Sequence, residues 1–459
     1  MNRYDEYKSL IQELDDTPPA LEYTVTRAKA RNRKAKIIRR SFAIPMGSVA
    51  AFFISFVILV NASTSFALAC GRIPFLKELA AAVAFSPSLS AIVENEFVQL
   101  IELEQSKNDV TMKVEYVIVD QKQVNLFYTL HSVVYSKMDV EPTITSIDGK
   151  SLEGYSIIAW GGAENGKLRH ILIDFVDNDV PEGLVLTCSV SDKGTDEASA
   201  PQQVPDDILF RPVEEQKPDM IATFEFTLNF DPYFTHQGEI ITLNQRFVLD
   251  GQQLTVSTVE IYPTHARLNL KDDPSNTAWL NSLDFYFENE KGDRFEAVGN
   301  GITATGSPDS PMMQSHRLES AFFARSKNLT LYIEGAVWLD KDMERVRVDL
   351  VNVTAETLPE GVVFENAARK FGGWELVFSG VERKDNYMYQ LFGSDCYDED
   401  GNEYTYNSVS FRATDPYVER QGAFFVQFAL ADYPYGTVYL SPEFSRATVL
   451  EQPVILSLK

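Results

Sequence analysis

Cysteine is scarce in this sequence: Cys70, Cys188 and Cys396 are the only three in 459 residues. A disulfide framework for so long a chain is thereby excluded, and the fold must be held by its apolar core. Histidine is rare as well, and His131, His170, His236, His265 and His316 include no pair at metal-ligand spacing. There is no CxxC, HExxH, GxSxG or phosphate-cradling glycine loop. These absences predict a protein that is not an enzyme, with no catalytic residue, no cofactor and no metal site. Positive charge is in deficit too. Residues 1–40 hold ten Lys or Arg against six Asp or Glu, a balance of +4, so residues 41–459 carry −29 of the chain's net −25. So acidic a body lacks the basic footprint that nucleic acid requires, and no nucleic-acid partner is expected.

One absence is local. From Ser41 to Gly71 no charged residue occurs for thirty-one positions, more than the roughly 20 apolar residues that cross about 30 Å of hydrocarbon. Eight Lys or Arg crowd the stretch from Arg27 to Arg40 on its N-terminal side. Positive charge that close to a span keeps its side in the cytoplasm. A cleaved signal peptide has a short charged n-region and a 7–15-residue apolar core, whereas forty residues precede this longer one, so an anchor is preferred. The expectation is a single-pass protein at the cell membrane, with a cytoplasmic N-terminus and an extracytoplasmic C-terminal body.

The inner segment opens with YDEYKSLIQEL, in which Tyr4, Tyr7, Leu10, Ile11 and Leu14 fall at helical spacing. A second helix is expected from about Pro19 or Ala20 through the basic cluster; two such short helices cannot bury a core, so the segment is either disordered or folds onto a partner, with these five residues as the candidate partner-binding face, docking in a groove. After the apolar stretch, Phe75–Phe85 and Leu89–Gln105 read as helices. Beyond Asp109 the pattern turns to the alternation of β-strands.

Internal repetition follows. Val114-Glu115, Val259-Glu260 and Val381-Glu382 each close an alternating motif. A further strand comes next in each, at Val124–Leu130, Ala266–Leu270 and Tyr387–Phe392. Then come turns at Asp148-Gly149, Lys291-Gly292 and Asp400-Gly401. Closing pairs are expected at Leu168–Phe175 with Leu184–Val190, Ala321–Ala324 with Leu329–Gly335, and Ala423–Leu430 with Thr437–Leu440. The fold class is mainly β: tandem antiparallel Ig-like β-sandwiches outside the membrane, preceded by one transmembrane helix and short flanking helices. The expected organisation is a cytoplasmic segment 1–40, a span 41–71, a helical stalk 72–106, a first β-domain 107–193, a linker 194–219, a second β-domain 220–352 and a third 353–459.

Two features invite sharper readings. Asp395–Glu403 (DCYDEDGNE) has the composition of a calcium loop, yet aligned on Gly401 an EF-hand would need ligands at Cys396 and Asn407. A hairpin turn is the better reading. Phe424, Phe425, Phe428, Tyr433, Tyr435 and Tyr439 are either core or a carbohydrate or peptide platform, and alternation assigns half of them to core.

The inner segment with Thr17-Pro18-Pro19, the single span, the helix Val93–Leu103 and the strand pair Val110–Val119 and Val124–Leu130 together resemble the DUF4179 family of bacterial membrane proteins. The later copies are similar to Ig-like domains found behind it. The resemblance implies association with extracytoplasmic-function sigma factors and an anti-sigma or sensory role. It departs from the familiar anti-sigma domain in that residues 1–40 contain no His or Cys to bind zinc. The expected partners are therefore the membrane, a sigma factor at the cytoplasmic segment, and an envelope ligand or protein of unknown identity. The rival reading is a surface adhesion or structural protein whose inner segment only sets topology.

Overall fold

The computed structural model describes residues 79–159, 163–192, 219–307, 310–370, 372–381, 391–406, 408–412 and 423–459. Residues 1–40, read as a cytoplasmic segment, residues 41–71, read as a span, and nearly all of the expected linker 194–219 lie outside the described residues. Among the described residues no helix is long and apolar enough to cross a membrane. The described chain is mainly β, and its strand pairs are antiparallel.

A helical turn over 79–82 leads to helix α1 (Pro87–Glu94), which buries Leu89, Ile92 and Val93. The helix expected to run to Gln105 stops here. Asn95 closes it, Glu96 takes a left-handed φ of 58°, and the chain leaves as a strand. Leu100 and Ile101, placed on a helical face by spacing, instead pack on the core from that strand. Pairing with the next strand outweighs a periodicity that fits both structures.

The first unit contains β1 (Gln99–Lys107), β2 (Val110–Val119), β3 (Gln123–Ser132), β4 (Lys137–Ser146), β5 (Tyr155–Ala159), β6 (Ala163–Glu164), β7 (Leu168–Phe175), β8 (Gly183–Asp192) and β9 (Met220–Asn229). One sheet runs β1-β2-β3-β7-β5 and the other β6-β4-β8-β9, around a shared core. The strand pair foreseen at 110–119 and 124–130 is present almost as drawn. β7 and β8, expected to pair, instead lie in opposite sheets, which lets each bury one face against the other sheet. β9, assigned by sequence to the second domain, pairs with β8 across Gly183↔Asn229 to Ser191↔Met220 and adds Phe224, Phe226 and Leu228 to the first core. Its outer carbonyls are covered by side chains of or beside β1: Gln99, Lys107 and Asn108 donate to the oxygens of Asn229, Thr223 and Ile221 at 2.7 Å each. That closes an otherwise open edge. A short helix α2 (Pro232–Thr235) ends the unit.

The second unit contains β10 (Glu239–Leu249), β11 (Gln252–Ile261), β12 (Ala266–Asp272), β13 (Ala278–Asn289), β14 (Arg294–Ser307), β15 (Ser310–Leu318) and β16 (Leu329–Asp340). Ala321–Ala324, read as a strand, is a turn; β15 takes the strand position instead. A third unit follows, with β17 (Val346–Asp349), β18 (Thr354–Ala355), β19 (Val363–Lys370), β20 (Gly373–Val381), β21 (Phe392–Tyr397), β22 (Glu403–Thr405), β23 (Ser408–Arg412), β24 (Ala423–Leu430) and β25 (Thr437–Pro442). Its sheets run β18-β17-β25-β21-β22 and β19-β20-β24-β23, so β24 and β25, again expected to pair, face one another across the core.

The last strand, β26 (Arg446–Ser457), does not belong to the third unit. It pairs with β16 and completes the second sheet in the order β10-β11-β12-β15-β14-β13-β16-β26. Leu456 and Leu458 join the second core. The third unit is therefore an insertion between neighbouring strands of the second. Where the chain leaves and returns, Ser445 pins the two ends, its hydroxyl donating to Asp340 Oδ2 at 2.7 Å and its amide to the Trp338 carbonyl at 2.7 Å.

The three turns foreseen from the repeats share one geometry. Gly149, Gly292 and Gly401 have φ of 80–82°, a region open to glycine. Their amides donate to Ser146, Asn289 and Asp398. At the third turn Asp398 Oδ1 accepts the amides of Asp400 and Asn402 at 3.0 and 2.8 Å, as Asn289 Oδ1 accepts those of Lys291 and Asp293 at 2.9 Å each. The Asp398 carboxylate is thus a turn cap.

Candidate functional site

The described polar groups converge most densely where the first and second units meet. The β2–β3 turn begins at Asp120, fully buried, whose Oδ1 accepts the amides of Lys122 and Gln123 at 2.9 Å each. Its Oδ2 crosses to the second unit and accepts the Thr264 amide at 2.8 Å and the Thr264 hydroxyl at 2.6 Å. Thr264 sits in the β11–β12 turn, the counterpart of the β2–β3 turn. Each turn closes the same way, Asp120 N to Gln123 O at 3.0 Å and Tyr262 N to His265 O at 2.9 Å. Equivalent loops of two repeats are therefore docked on one another.

Behind this contact lies a buried ion pair. Arg267 on β12 donates from Nη2 to Asp174 Oδ1 on β7 at 3.0 Å, with further bonds to the carbonyls of Phe175 and Val176. Its Nε donates to His265 Nε2 at 2.9 Å. That bond makes Nε2 the acceptor, so the His265 proton resides on Nδ1, 2.7 Å from the Thr264 hydroxyl. Gln123, Asn125 and His170 continue the chain into the first unit. Burial pushes Asp174 upward, but the guanidiniums of Arg267 and Arg317 and the Gln123 amide outweigh it and hold the carboxyl below its usual range. Burial raises Asp120, against the pull of its four donors. Burial and the neighbouring Arg267 keep His265 neutral, with its pKa well below 6.5.

Beside the joint opens a polar cleft of about 400 Å³. Its floor includes Thr242, Thr258, Asn269 and Ser315, opposite one another on successive strands β10, β11, β12 and β15, and its walls include Lys122 and Asp177 of the first unit. Hydroxyls, amides and charges of both signs can hold a polar ligand there by hydrogen bonding.

The joint was silent in the sequence. The available signal was polar side chains in or beside strands that otherwise bury apolar ones: Asn125 in VNLFYTL with Gln123 just before it, and Arg267 in ARLNL. Of the residues singled out by sequence, Tyr4, Tyr7, Leu10, Ile11 and Leu14 lie outside the described residues. In the aromatic cluster Phe425, Phe428 and Tyr433 are buried core, whereas Tyr435 is 45% exposed. Cys188 and Cys396 are buried, with thiols pushed up to about 12 by burial. Among the described residues no group of three His, Cys, Asp or Glu side chains could hold a metal ion.

Fold and joint together define a chain of antiparallel β-units locked through buried polar contacts. A family model described as "Domain of unknown function (DUF4179)" matches residues 38–132. A second model, "Family of unknown function (DUF5643)", matches residues 238–359, starting just before β10 and after β9. No curated protein matches. Among solved structures the chain is similar to that described as "The crystal structure of the conserved domain protein from Bacillus anthracis", at 12% identity and a TM-score of 0.37, covering 57% of this chain and 85% of that one.

The three buried histidines predict acid sensitivity. Burial lowers His170 to about 3 and His316 to about 4, and holds His265 well below 6.5. The unfolded chain therefore binds protons that the folded chain refuses, and stability falls as pH drops below about 6.5. At pH 5.5 the loss relative to pH 7.5 is about 1.4 kcal/mol for each of His170 and His316, and His265 acts in the same direction. Asp120 has the opposite sign and offsets this only below its own raised pKa. Urea midpoints measured across pH 5.5–7.5 test it; a flat profile contradicts the neutral histidines.

Proposed function

We propose that this chain is a single-pass protein of a bacterial envelope whose Ig-like units bind or sense a component outside the cell, and whose short inner segment regulates an extracytoplasmic-function sigma factor. The observation that carries the reading is the uncharged stretch Ser41–Gly71, with eight basic residues on one side and the −29 body on the other. The DUF4179 match spans that stretch and the start of the first unit. In this reading residues 41–71 cross the membrane, and Tyr4, Tyr7, Leu10, Ile11 and Leu14 form the face that holds the sigma factor. The cleft beside the joint is where an outer ligand bears on both units at once.

Deletion of residues 2–16 tests the regulatory half. The expected result is altered transcription of sigma-dependent genes, together with loss of sigma-factor capture by residues 1–40 carrying Leu10→Asp. Unchanged transcription and no capture by the wild-type segment favour an adhesion or structural protein instead.

A further inference from the structure

The first described elements after the uncharged stretch do not end in the first unit alone. Ser86 is the N-cap of helix α1, its hydroxyl accepting the Leu89 amide at 3.3 Å, and the second unit holds that cap in place. Glu319, just past β15, accepts the Ser88 amide at 2.7 Å, the Ser88 hydroxyl, and the Ser86 hydroxyl at 3.2–3.3 Å. The Ser320 amide donates back to Ser88 Oγ at 2.6 Å, and Ser88 is buried. A carboxylate at that end suits the helix dipole, and the first-turn amides have no partner within the helix. Eight residues are too few to hold a helix without such outside contacts.

Ser320, next to Glu319, also reaches the joint. The Ser320 hydroxyl donates to the Tyr262 carbonyl, in the turn whose Thr264 holds Asp120. At the other end of α1, Phe97 packs edge-on against Phe234 of the first unit at 4.7 Å and against Phe323 of the second at 5.8 Å. One contiguous set of contacts therefore links the Asp120–Thr264 joint to both ends of α1.

We propose that α1 is a coupling element: seating of the second unit on the first, through Asp120–Thr264 and Ser320–Tyr262, places Glu319 on the α1 N-terminus, and unseating the joint loosens α1. A shift of an ångström or two breaks hydrogen bonds of this length. The device does not depend on the sigma-factor reading, and its test reads a different quantity.

The test is hydrogen exchange of the full-length chain in detergent micelles, followed by mass spectrometry of peptides covering Ser88–Val93. Glu319→Gln weakens the cap directly and is expected to speed exchange there about fivefold to tenfold, the effect of a lost cap. The decisive variant is Thr264→Val, which touches no α1 residue. It is expected to speed α1 exchange severalfold while β16 exchanges at the wild-type rate, and Thr264→Ser, which keeps the hydroxyl, restores the wild-type pattern. Where Thr264→Val accelerates β16 as well, Ser320→Ala is read in its place, with the same expectation. Wild-type exchange at α1 in the Thr264→Val or substitute variant, with β16 intact, overturns the proposal, as does an unchanged α1 in Glu319→Gln.

Discussion

Removal of residues 446–459 unfolds the second unit and leaves the third standing. The deletion takes β26 away from β16, where it pairs from Trp338↔Arg446 to Thr330↔Ser457. It also takes Leu456 and Leu458 from the second core, each worth about 1.5–3 kcal/mol of burial. β16 then becomes a long unpaired edge beside the buried Trp338, with Arg446 gone from its contacts with Asp250 and Asp340. Together these losses approach the whole stability of an ordinary domain, about 5–15 kcal/mol. Limited proteolysis of the truncated chain is expected to cut within 239–340 while residues 346–442 survive. Three consecutive domains, the arrangement read from the sequence, predict the reverse: damage confined to the third. Survival of 239–340 with cleavage in the third unit contradicts the nested topology.

Arg267→Ala destabilises the joint by about 3–5 kcal/mol. The cost comes less from the lost pair than from the Asp174 carboxylate left buried. Its remaining cation is Arg317 at 3.8 Å, beside a long Gln123 bond of 3.3 Å. The carbonyls of Phe175 and Val176 also lose their donors. Pairing the change with Asp174→Leu is expected to recover much of the stability, since replacing both partners leaves no unpaired charge. Urea unfolding of the two single variants and the double measures this. If Arg267→Ala matches the wild type, the pair does not hold the units together.

Much of the β architecture was legible. Alternation located β2, β3, β11 and β12 closely, because a strand with one face buried writes its period into the sequence. The three Gly turns were legible because their left-handed backbone restricts the residue. Sheet membership was not: alternation in Leu168–Phe175 and Leu184–Val190 shows that each buries a face, not that they bury it against one another. Likewise the repeat pattern ends at Leu440 and foresees no β26, and nothing local says that the chain returns to β16 across an inserted unit. α1 was misjudged in length because Leu100 and Ile101 suit helical and strand spacing equally. The joint stayed hidden because its members, Asp120, Asp174, Thr264, His265 and Arg267, come from three separate stretches that only the fold brings together.

The central claim is that residues 41–71 divide a cytoplasmic segment from an outer β-body, and side-chain accessibility on the two sides tests it most directly. Cys188 and Cys396 are buried, so a Cys70→Ser background should label weakly. In it, Val133→Cys, at a position 89% exposed in the first unit, and Lys8→Cys place one thiol on each side. With a membrane-impermeant maleimide on intact cells, the account predicts labelling of Val133→Cys at once and of Lys8→Cys only after permeabilisation. Protection of Val133→Cys until the membrane is opened would contradict it.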